Sequence, residues 1–435
     1  MNNRFPDKKN APRVVVTGMG AVTPLGMTRH DLLEGLQTGR SGIQRWQKYP
    51  GHRYSQIGGA IPECALADYF EKTRSMYAEP MIKKTTRLLR ATPYAGRMTA
   101  LAALEAMNDS RMEIDTAGDE TIGHVLGGHN LNMNYIFQNT LEHEQDPDLI
   151  DPRYGLLTLD TDVLSVISEL LHLKGPSFTI GAACASGNLA IMAGLDLIRS
   201  GRVDTVLVTG GLIDLDPVIL TGWGLIDAIV TDKFLDEPER ASRPFDAKRS
   251  GFVPGHCAAA LVLESLENAR ERGAFLYGEI LGGGGASDAS RKTQPHIEGQ
   301  VRAMQTALDD AGMAPEDINY INAHAPSTPL GDRVEVQAIK MVLGPHAYRM
   351  PVNSTKSLIG HGLCAAGVVE CVATLLQMQE GFVHPTLNQE YPDPELDLDF
   401  VPNKSRPYQI DAALSNSFGF GGINSSIVVK AIRKG

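Results

Sequence analysis

Short apolar runs with the length of β-strands alternate with helix-length patterns along nearly the whole chain. The strand-like runs lie at 13–17, 122–126, 177–183, 204–209, 258–263, 276–281, 318–323, 412–414 and 426–430. Helix-length patterns separate them, at about 85–107, 162–172, 187–200, 297–311, 332–343 and 364–379, with a further one from about Thr28. Strands that alternate with helices build sheets whose two faces are covered. The sequence therefore predicts an α/β fold with helices on both sides of the sheet.

The chain is long enough for two units that share one core. It has 435 residues, of which 43% are hydrophobic, which is the composition of a folded protein with a large interior. We place the junction near Gly273, just before the strand at 276–281, and we expect the Gly- and Ser-rich segment 282–290 after that strand to be flexible. The predicted parts are a flexible tail at 1–12, a first half at 13–272 and a second half at 273–435.

Charge and cysteine content narrow the functional class. The formal net charge of −11 gives no basic field for nucleic acid or an anionic membrane, so an acidic partner would need a local basic patch. No apolar stretch approaches the roughly 20 residues of a membrane span, and the polar start does not resemble a signal peptide. The five cysteines are odd in number and lack C-x-x-C spacing, which argues against disulfides and zinc. These features predict a cytoplasmic protein.

One cysteine lies in a setting suited to a nucleophile. Cys184 falls in GPSFTIGAACASGNLAI, where an apolar strand runs through small residues directly into a helix. The N-terminus of a helix favours a thiolate, and small neighbours leave room for a substrate carbonyl. Taken alone, a buried structural cysteine is an equally good interpretation. We assign that structural role to the remaining cysteines, at positions 64, 257, 364 and 371.

Two histidines and a glycine-rich loop are further candidates. His324 ends an apolar strand in NAHAPSTPLGD, and His361 lies between glycines in STKSLIGHGLCAAG. Strand ends and glycine turns are where α/β sheets present their chemistry, although a hydrogen-bonded structural histidine is also compatible. The loop SNSFGFGGINSS at 415–426 could bring backbone N–H groups to a ligand, or it could be a tight turn only.

Taken in order, six motifs resemble those of the elongating β-ketoacyl-acyl carrier protein synthases, a family that includes the ketosynthases of polyketide assembly. They are VVVTGMGAVTPLG, the turn around Cys184, SRPFD with GFV, NAH-x-x-STPLGD, STKS-x-x-GH-x-x-x-AAG and NSFGFGG-x-N. The resemblance extends from Arg13 to Lys430. It implies the thiolase-like fold, with two similar halves that form a five-layer α/β/α/β/α body, and a homodimer.

The resemblance also implies a division of labour in the site. Cys184 would take the acyl chain as a thioester, and its backbone N–H with that of Phe420, next to Gly421, would hold the carbonyl oxygen. His324 and His361 would bind the malonyl thioester and assist loss of its carboxylate. A second set would support them: Lys356, expected to pair with Glu335, would organise His324, and Phe420 would act as a gate.

Substrate and carrier contacts follow from the same resemblance. Thr328, Asn130 and Phe418 are expected to bind substrate, and Asn132 is expected near the acyl chain with Asn130. The family carries its intermediates on the phosphopantetheine of an acyl carrier protein and holds no permanent cofactor or metal. That carrier is acidic, and Lys83, Lys84 and Arg87 fall where the family presents part of its basic docking patch, although a solvated charged face is an equal interpretation for each.

Several positions depart from the family pattern. Ala325-Pro326 replaces the usual Gly-Thr and removes one hydroxyl near phosphopantetheine, and Ser250, His256 and Ile423 are also unusual. These changes favour a specialised ketosynthase of polyketide or fatty acid biosynthesis that acts on an unusual or polar acyl group. Three alternatives remain: acyl transfer to an alcohol or amine, a non-catalytic chain-length partner, which intact Cys184 disfavours, and a thiolase, which the second histidine motif disfavours.

Overall fold

A computed structural model describes residues 11–46, 49–54, 56–61, 66–112, 121–291 and 293–432. Cys64 and residues 1–10 of the predicted tail lie outside the described residues. The strands are β1 Val14–Val22, β2 Ile43–Arg45, β3 Ile57–Gly59, β4 Ile122–Gly127, β5 Ser177–Ile180, β6 Thr205–Gly210, β7 Ala258–Ser265, β8 Gly278–Ser287, β9 Tyr320–Asn322, β10 Val352–Asn353, β11 Phe382–Val383, β12 Arg406–Pro407, β13 Ala412–Gly419 and β14 Ile423–Lys430. The α-helices are α1 Arg29–Thr38, α2 Leu66–Lys72, α3 Glu79–Leu89, α4 Tyr94–Ser110, α5 Met133–Gln145, α6 Tyr154–Leu157, α7 Asp160–Leu171, α8 Ser186–Arg199, α9 Pro217–Leu225, α10 Leu266–Glu271, α11 Ile297–Ala311, α12 Pro329–Leu343, α13 Lys356–Ile359 and α14 Ala366–Glu380.

Two groups of five strands repeat one topology. In the first, the order is β1-β7-β6-β4-β5, and in the second it is β8-β14-β13-β9-β10. In each group the first two neighbouring pairs are antiparallel and the last two are parallel. The antiparallel pairing of β1 with β8 joins the two groups into one ten-stranded sheet. The prediction of two similar α/β halves is confirmed by this repeat.

Helices form three layers around the two groups of strands. The buried helices α8 and α14 pack on strands of both halves and on each other. On the outer faces, α4 and α7 cover the first half, and α11 with α12 packed beside it covers the second. The resulting order of layers is helices, the first group of five strands, helices, the second group of five strands, and helices, as the predicted five-layer architecture requires. Among the helices of the described ranges, none has both the length and the apolar character needed to cross a membrane.

Glycines inside β1 and β8 allow a helix to lie directly on each strand. The sequence predicts that β1 ends at Thr17 and that Gly282–Gly285 are flexible, but both strands continue through their glycines. A Cβ added at Gly20 would overlap the Ala102 carbonyl of α4, and one at Gly284 would overlap the Ala303 carbonyl of α11. These glycines were wrongly interpreted as breakers, because in this fold they serve close backbone packing.

The pattern at 85–107 also differs from the prediction. It forms two helices rather than one, because α3 ends at Leu89 and α4 begins at Tyr94. Pro93 has no N–H to donate to a preceding turn and lies at the N-cap of α4. The break lets α3 turn away from the sheet, while α4 stays buried against β1.

Candidate active site

Cys184 lies in the tight turn between β5 and α8. The turn is held by Ser186, whose Oγ accepts the N–H of Ala182 at 2.8 Å and donates to the carbonyl of Ala183 at 2.6 Å. Ala183 has φ 48°, which is the left-handed region and is costly for an alanine. The turn therefore fixes a partly buried sulfur at the N-terminus of α8, where N–H groups and the helix dipole favour negative charge.

His361 lies directly against this sulfur. Its Nε2 is 3.0 Å from Cys184 Sγ, and its Nδ1 accepts the backbone N–H of Leu363 at 3.2 Å. A neutral imidazole whose Nδ1 accepts must carry its proton on Nε2. His361 Nε2–H therefore donates toward the sulfur and toward any thioester bound there.

The same tautomer bears on metal binding. Ligand atoms of Cys184, His324 and His361 all lie within 4.8 Å of one another, close enough to surround an ion. A histidine binds a metal through a nitrogen that carries no proton. The hydrogen bond from Leu363 favours the tautomer of His361 with its proton on Nε2, and in that tautomer the nitrogen that faces the cluster is a hydrogen-bond donor rather than a metal ligand.

His324, at the end of β9, completes the cluster. Its ring lies 5.2 Å from that of His361, centroid to centroid, in an edge-to-face arrangement. Glu335 positions the loop by accepting the backbone N–H groups of His324 (2.8 Å) and Ala325 (2.7 Å), while Asn416 donates to the same carboxylate at 3.0 Å. Within the described residues, Nδ1 of His324 is buried without a hydrogen-bond partner.

Lys356 is buried beside the histidines, but its partner is not the predicted one. The sequence predicts a pair with Glu335, whereas Lys356 Nζ makes its ion pair with Glu370 of α14. Glu335 is occupied by backbone N–H groups of the His324 loop. The sequence did contain a signal for Glu370, because it is the lone charged residue in the apolar pattern of α14 before Glu380.

Burial and the charge of Lys356 set the protonation of the site. Burial, followed by the charge of Lys356, holds the pKa of His361 well below its ordinary value, and His324 is lowered by burial, Lys356 and His361. Both imidazoles are therefore neutral near pH 7. Burial raises the pKa of the Cys184 thiol to about 12, whereas the charge of Lys356 and the backbone N–H of Phe420 favour the thiolate. These donors oppose the cost of burying a charge.

The loop between β13 and β14 brings Phe420 to the sulfur. Gly421 and Gly422 have φ 85° and 71°, which side-chain-bearing residues rarely adopt, so the hairpin turns sharply. Phe420 lies at its tip with 38% of its surface exposed, and its backbone N–H acts to lower the pKa of Cys184. Phe418, two residues earlier, is buried with its ring 5.9 Å from that of His324.

One cavity of about 510 Å³ unites these groups. Its wall includes Cys184, His324, His361, Phe418, Phe420, Thr328, Pro326, Asn130, Met133, Ile213 and Trp223. Asn130 and Thr328 lie at the cavity, as expected for substrate contacts. Asn132 is instead buried away from it, and its amide nitrogen donates to the carbonyl of Leu157 at 2.7 Å.

The three basic residues of α3 differ in their surroundings. Lys83 and Arg87 are exposed. Lys84 donates to the carbonyls of Glu169 (3.1 Å) and Leu170 (2.8 Å), where α7 ends. Lys84 therefore caps a helix C-terminus, which leaves Lys83 and Arg87 as the accessible charges of the set.

Comparison with known proteins gives matches over nearly the whole chain. Residues 11–269 match the model of the beta-ketoacyl synthase N-terminal domain, and residues 277–390 match that of the C-terminal domain. A polyketide biosynthesis malonyl-ACP decarboxylase, PksF, of Bacillus subtilis is 35% identical over 98% of this chain and 98% of its own. A 3-oxoacyl-[acyl-carrier-protein] synthase 2 of Coxiella burnetii is 35% identical over 97% and 99%. A type II polyketide ketosynthase solved in complex with its acyl-carrier protein has a TM-score of 0.84 and 29% identity, covering 97% of this chain and 100% of that one.

Proposed function

The chain belongs to the β-ketoacyl synthase family of acyl-transferring condensing enzymes, and on that premise we propose that it loads an acyl group onto Cys184 and condenses it with a malonyl unit on an acyl carrier protein. The observation that carries the proposal is the 3.0 Å contact between Cys184 Sγ and the protonated Nε2 of His361, with His324 beside them in one cavity.

In the loading step, Cys184 Sγ attacks the carbonyl carbon of an acyl thioester. The new C–S bond forms as the bond to the pantetheine sulfur breaks, and pantetheine leaves as a thiol with the proton that Cys184 gave up. The developing oxyanion is held by the backbone N–H groups of Cys184 and Phe420. The backbone N–H of Phe420 acts to lower the pKa of Cys184, which supports its place as a donor beside the reacting atoms.

In the condensation step, the malonyl carboxylate leaves as carbon dioxide and its bonding electrons form an enolate. His361 Nε2–H and His324 donate hydrogen bonds to the thioester oxygen, where the negative charge develops. The enolate carbon then attacks the acyl carbonyl on Cys184, and Cys184 leaves as a thiolate. Neutral imidazoles suit this role because the step needs donors and no permanent positive charge.

Four other residues support the chemistry. Glu335 positions His324 through its backbone, and the Lys356–Glu370 pair places one buried cation near both histidines. Phe420, at the tip of a glycine hairpin above the sulfur, is the gate that moves before the acyl chain enters.

The partner in this proposal is an acyl carrier protein, whose phosphopantetheine arm enters the cavity past Thr328 and Pro326. Exposed Lys83 and Arg87 are the docking charges for this acidic partner. No cofactor is held permanently, and the enzyme works as a homodimer. The departure at Ala325-Pro326 favours a specialised polyketide or fatty acid pathway.

The test is to load the purified protein with an acyl donor, add malonyl-acyl carrier protein, and weigh both proteins by mass spectrometry. We expect an acyl adduct that Cys184→Ala abolishes and Cys371→Ala, a change in the buried core of α14, retains. We then expect a carrier-bound chain two carbons longer and release of carbon dioxide.

Each of the other outcomes contradicts a defined part of the proposed function. Acylation followed by transfer to an added alcohol or amine, without extension, replaces condensation by ester or amide formation. Loss of carbon dioxide without extension makes the chain a decarboxylase only, as the name of the Bacillus subtilis relative describes that protein. No adduct with any donor favours the non-catalytic chain-length partner.

A further inference from the structure

His129 lies where the cavity meets the turn that carries the nucleophile. It follows β4 by two residues, and its ring forms part of the cavity wall beside Cys184. Its Nε2 accepts the backbone N–H of Ala183 at 3.2 Å. Ala183 directly precedes the nucleophile and has φ 48°, so His129 holds the N–H of a strained residue.

This hydrogen bond also settles where the proton of His129 lies. Because Nε2 accepts an N–H, the neutral ring carries its proton on Nδ1. Among the described residues Nδ1 has no hydrogen-bond partner, and it is not sealed from open space. Since the ring lies in the cavity wall, this N–H donor is open to a polar group of a ligand. A plain alkyl chain that covered it would leave it unpaired at a cost.

The segment that carries His129 is fixed on both sides. Gly128 donates its N–H to the carbonyl of Ile180 at 2.9 Å. The carboxylate of Asp160 accepts the N–H groups of Asn130 and Leu131, each at 2.9 Å. The ring is therefore preorganised, and its free donor keeps one direction relative to the nucleophile.

We propose that His129 determines acyl specificity: Nδ1–H donates to an oxygen that the acyl chain carries a few bonds from its thioester, while Nε2 positions the nucleophile turn. The substrate class is then acyl groups with a hydroxyl or keto oxygen near the carbonyl end. This inference rests on the proposed acylation of Cys184.

The experiment compares acylation of Cys184 by butanoyl-pantetheine and 3-hydroxybutanoyl-pantetheine, followed by intact-protein mass spectrometry. The wild type should prefer the hydroxylated donor about fivefold in acylation rate per concentration, the factor expected of one net hydrogen bond.

Two variants separate the two nitrogens. In His129→Gln the amide oxygen takes the place of Nε2 and still accepts the Ala183 N–H, but the donor at Nδ1 is lost. The preference for the hydroxylated donor should fall to about one. In His129→Asn the amide nitrogen takes the place of Nδ1, but the acceptor for Ala183 is lost. Both rates should fall together, and the preference should persist.

A merely structural role would slow acylation by both donors in both variants alike. It would not remove the preference in His129→Gln and keep it in His129→Asn. A wild type that does not prefer the hydroxylated donor overturns the inference, whether or not the variants fold. So does a preference that survives in folded His129→Gln. If neither donor acylates the wild type, the proposed acylation fails instead, which is a distinguishable result.

Discussion

Lys356 and Glu370 are both buried, and each ion is compensated by the other. Glu370→Gln leaves the ammonium unpaired in the protein interior, so we expect the free energy of unfolding to fall by about 3 kcal/mol. Urea denaturation measures this. The control is the double variant Lys356→Met/Glu370→Gln, which removes both charges and should recover most of the loss. An unchanged midpoint in Glu370→Gln would show that another residue compensates the lysine.

The depressed pKa values of His324 and His361 predict the acid side of the pH profile. The neutral imidazoles are the active forms, and burial and Lys356 lower both pKa values, so protonation occurs only at lower pH. The condensation rate should therefore hold at pH values below about 6.5, the ordinary histidine pKa. Because the pKa of Cys184 is raised, its deprotonation affects only the alkaline part of the pH profile. In Lys356→Met/Glu370→Gln the charge that lowers both histidine pKa values is gone, so the loss of rate on acidification should begin at higher pH. A wild type whose rate already falls at or above pH 6.5 contradicts the assignment.

At the level of single residues, the sequence predicted the reacting side chains better than the residues that position them or pair with them. Cys184, His324, His361 and Lys356 come together in one place because each follows a strand or glycine turn that the motifs mark. The partner of Lys356 was wrong because the choice between Glu335 and Glu370 depends on how α12 and α14 are oriented in space. His129 was missed for the same reason: its contact with Ala183 joins two loops 54 residues apart in the chain.

The crossing of α8 and α14 places the cysteine beside the histidine. A Cβ added at Gly187 would lie 2.8 Å from the backbone N of Val368, and one at Gly367 would lie 2.6 Å from that of Asn188. The two helix N-termini therefore meet backbone to backbone, and each carries one reacting group on the turn before it. The distance between Cys184 and His361 depends on this contact.

Gly187→Ala should push the helices apart. We expect a loss of about 1–3 kcal/mol in unfolding free energy and a larger relative loss in the acylation rate of Cys184. Gly222→Ala in α9 is the matched control, since its added Cβ meets nothing within 4 Å and should be neutral or stabilising. Thermal melts measure the stability, and mass spectrometry of the adduct measures the acylation rate. Equal behaviour of the two variants would show that the contact between α8 and α14 tolerates an added Cβ.

The elements were predictable where periodicity alone defines them, as in α8, α11 and α14. They were not predictable where a glycine can either end a strand or allow a helix to pack closely on it. Gly20 and Gly284 resemble breakers in the sequence, yet each allows a helix to lie on an unbroken strand. Which meaning applies depends on the helix that packs there, and no local pattern contains that information.

The repeated topology leaves two equivalent sheet ends with different surroundings. At one end, the N–H of Val352 in β10 donates to the carbonyl of Asp399 at 2.8 Å, so a chain segment covers that edge. At the other, β5 is the last strand within the described residues, and Ser177 and Phe178 are exposed. An uncovered edge strand with an exposed aromatic side chain is a site for pairing with another chain.

We therefore predict that the proposed homodimer forms through the β5 edge. Phe178→Asp places a charge in the middle of that edge and should give a monomer, because burying an unpaired carboxylate costs more than the contact gains. Size-exclusion chromatography with light scattering measures the mass. Met341→Asp is the control, since Met341 is exposed on the outer helix α12 of the other half and should leave the mass unchanged. A monomeric wild type removes the dimer, whereas a dimeric Phe178→Asp moves the interface to another face.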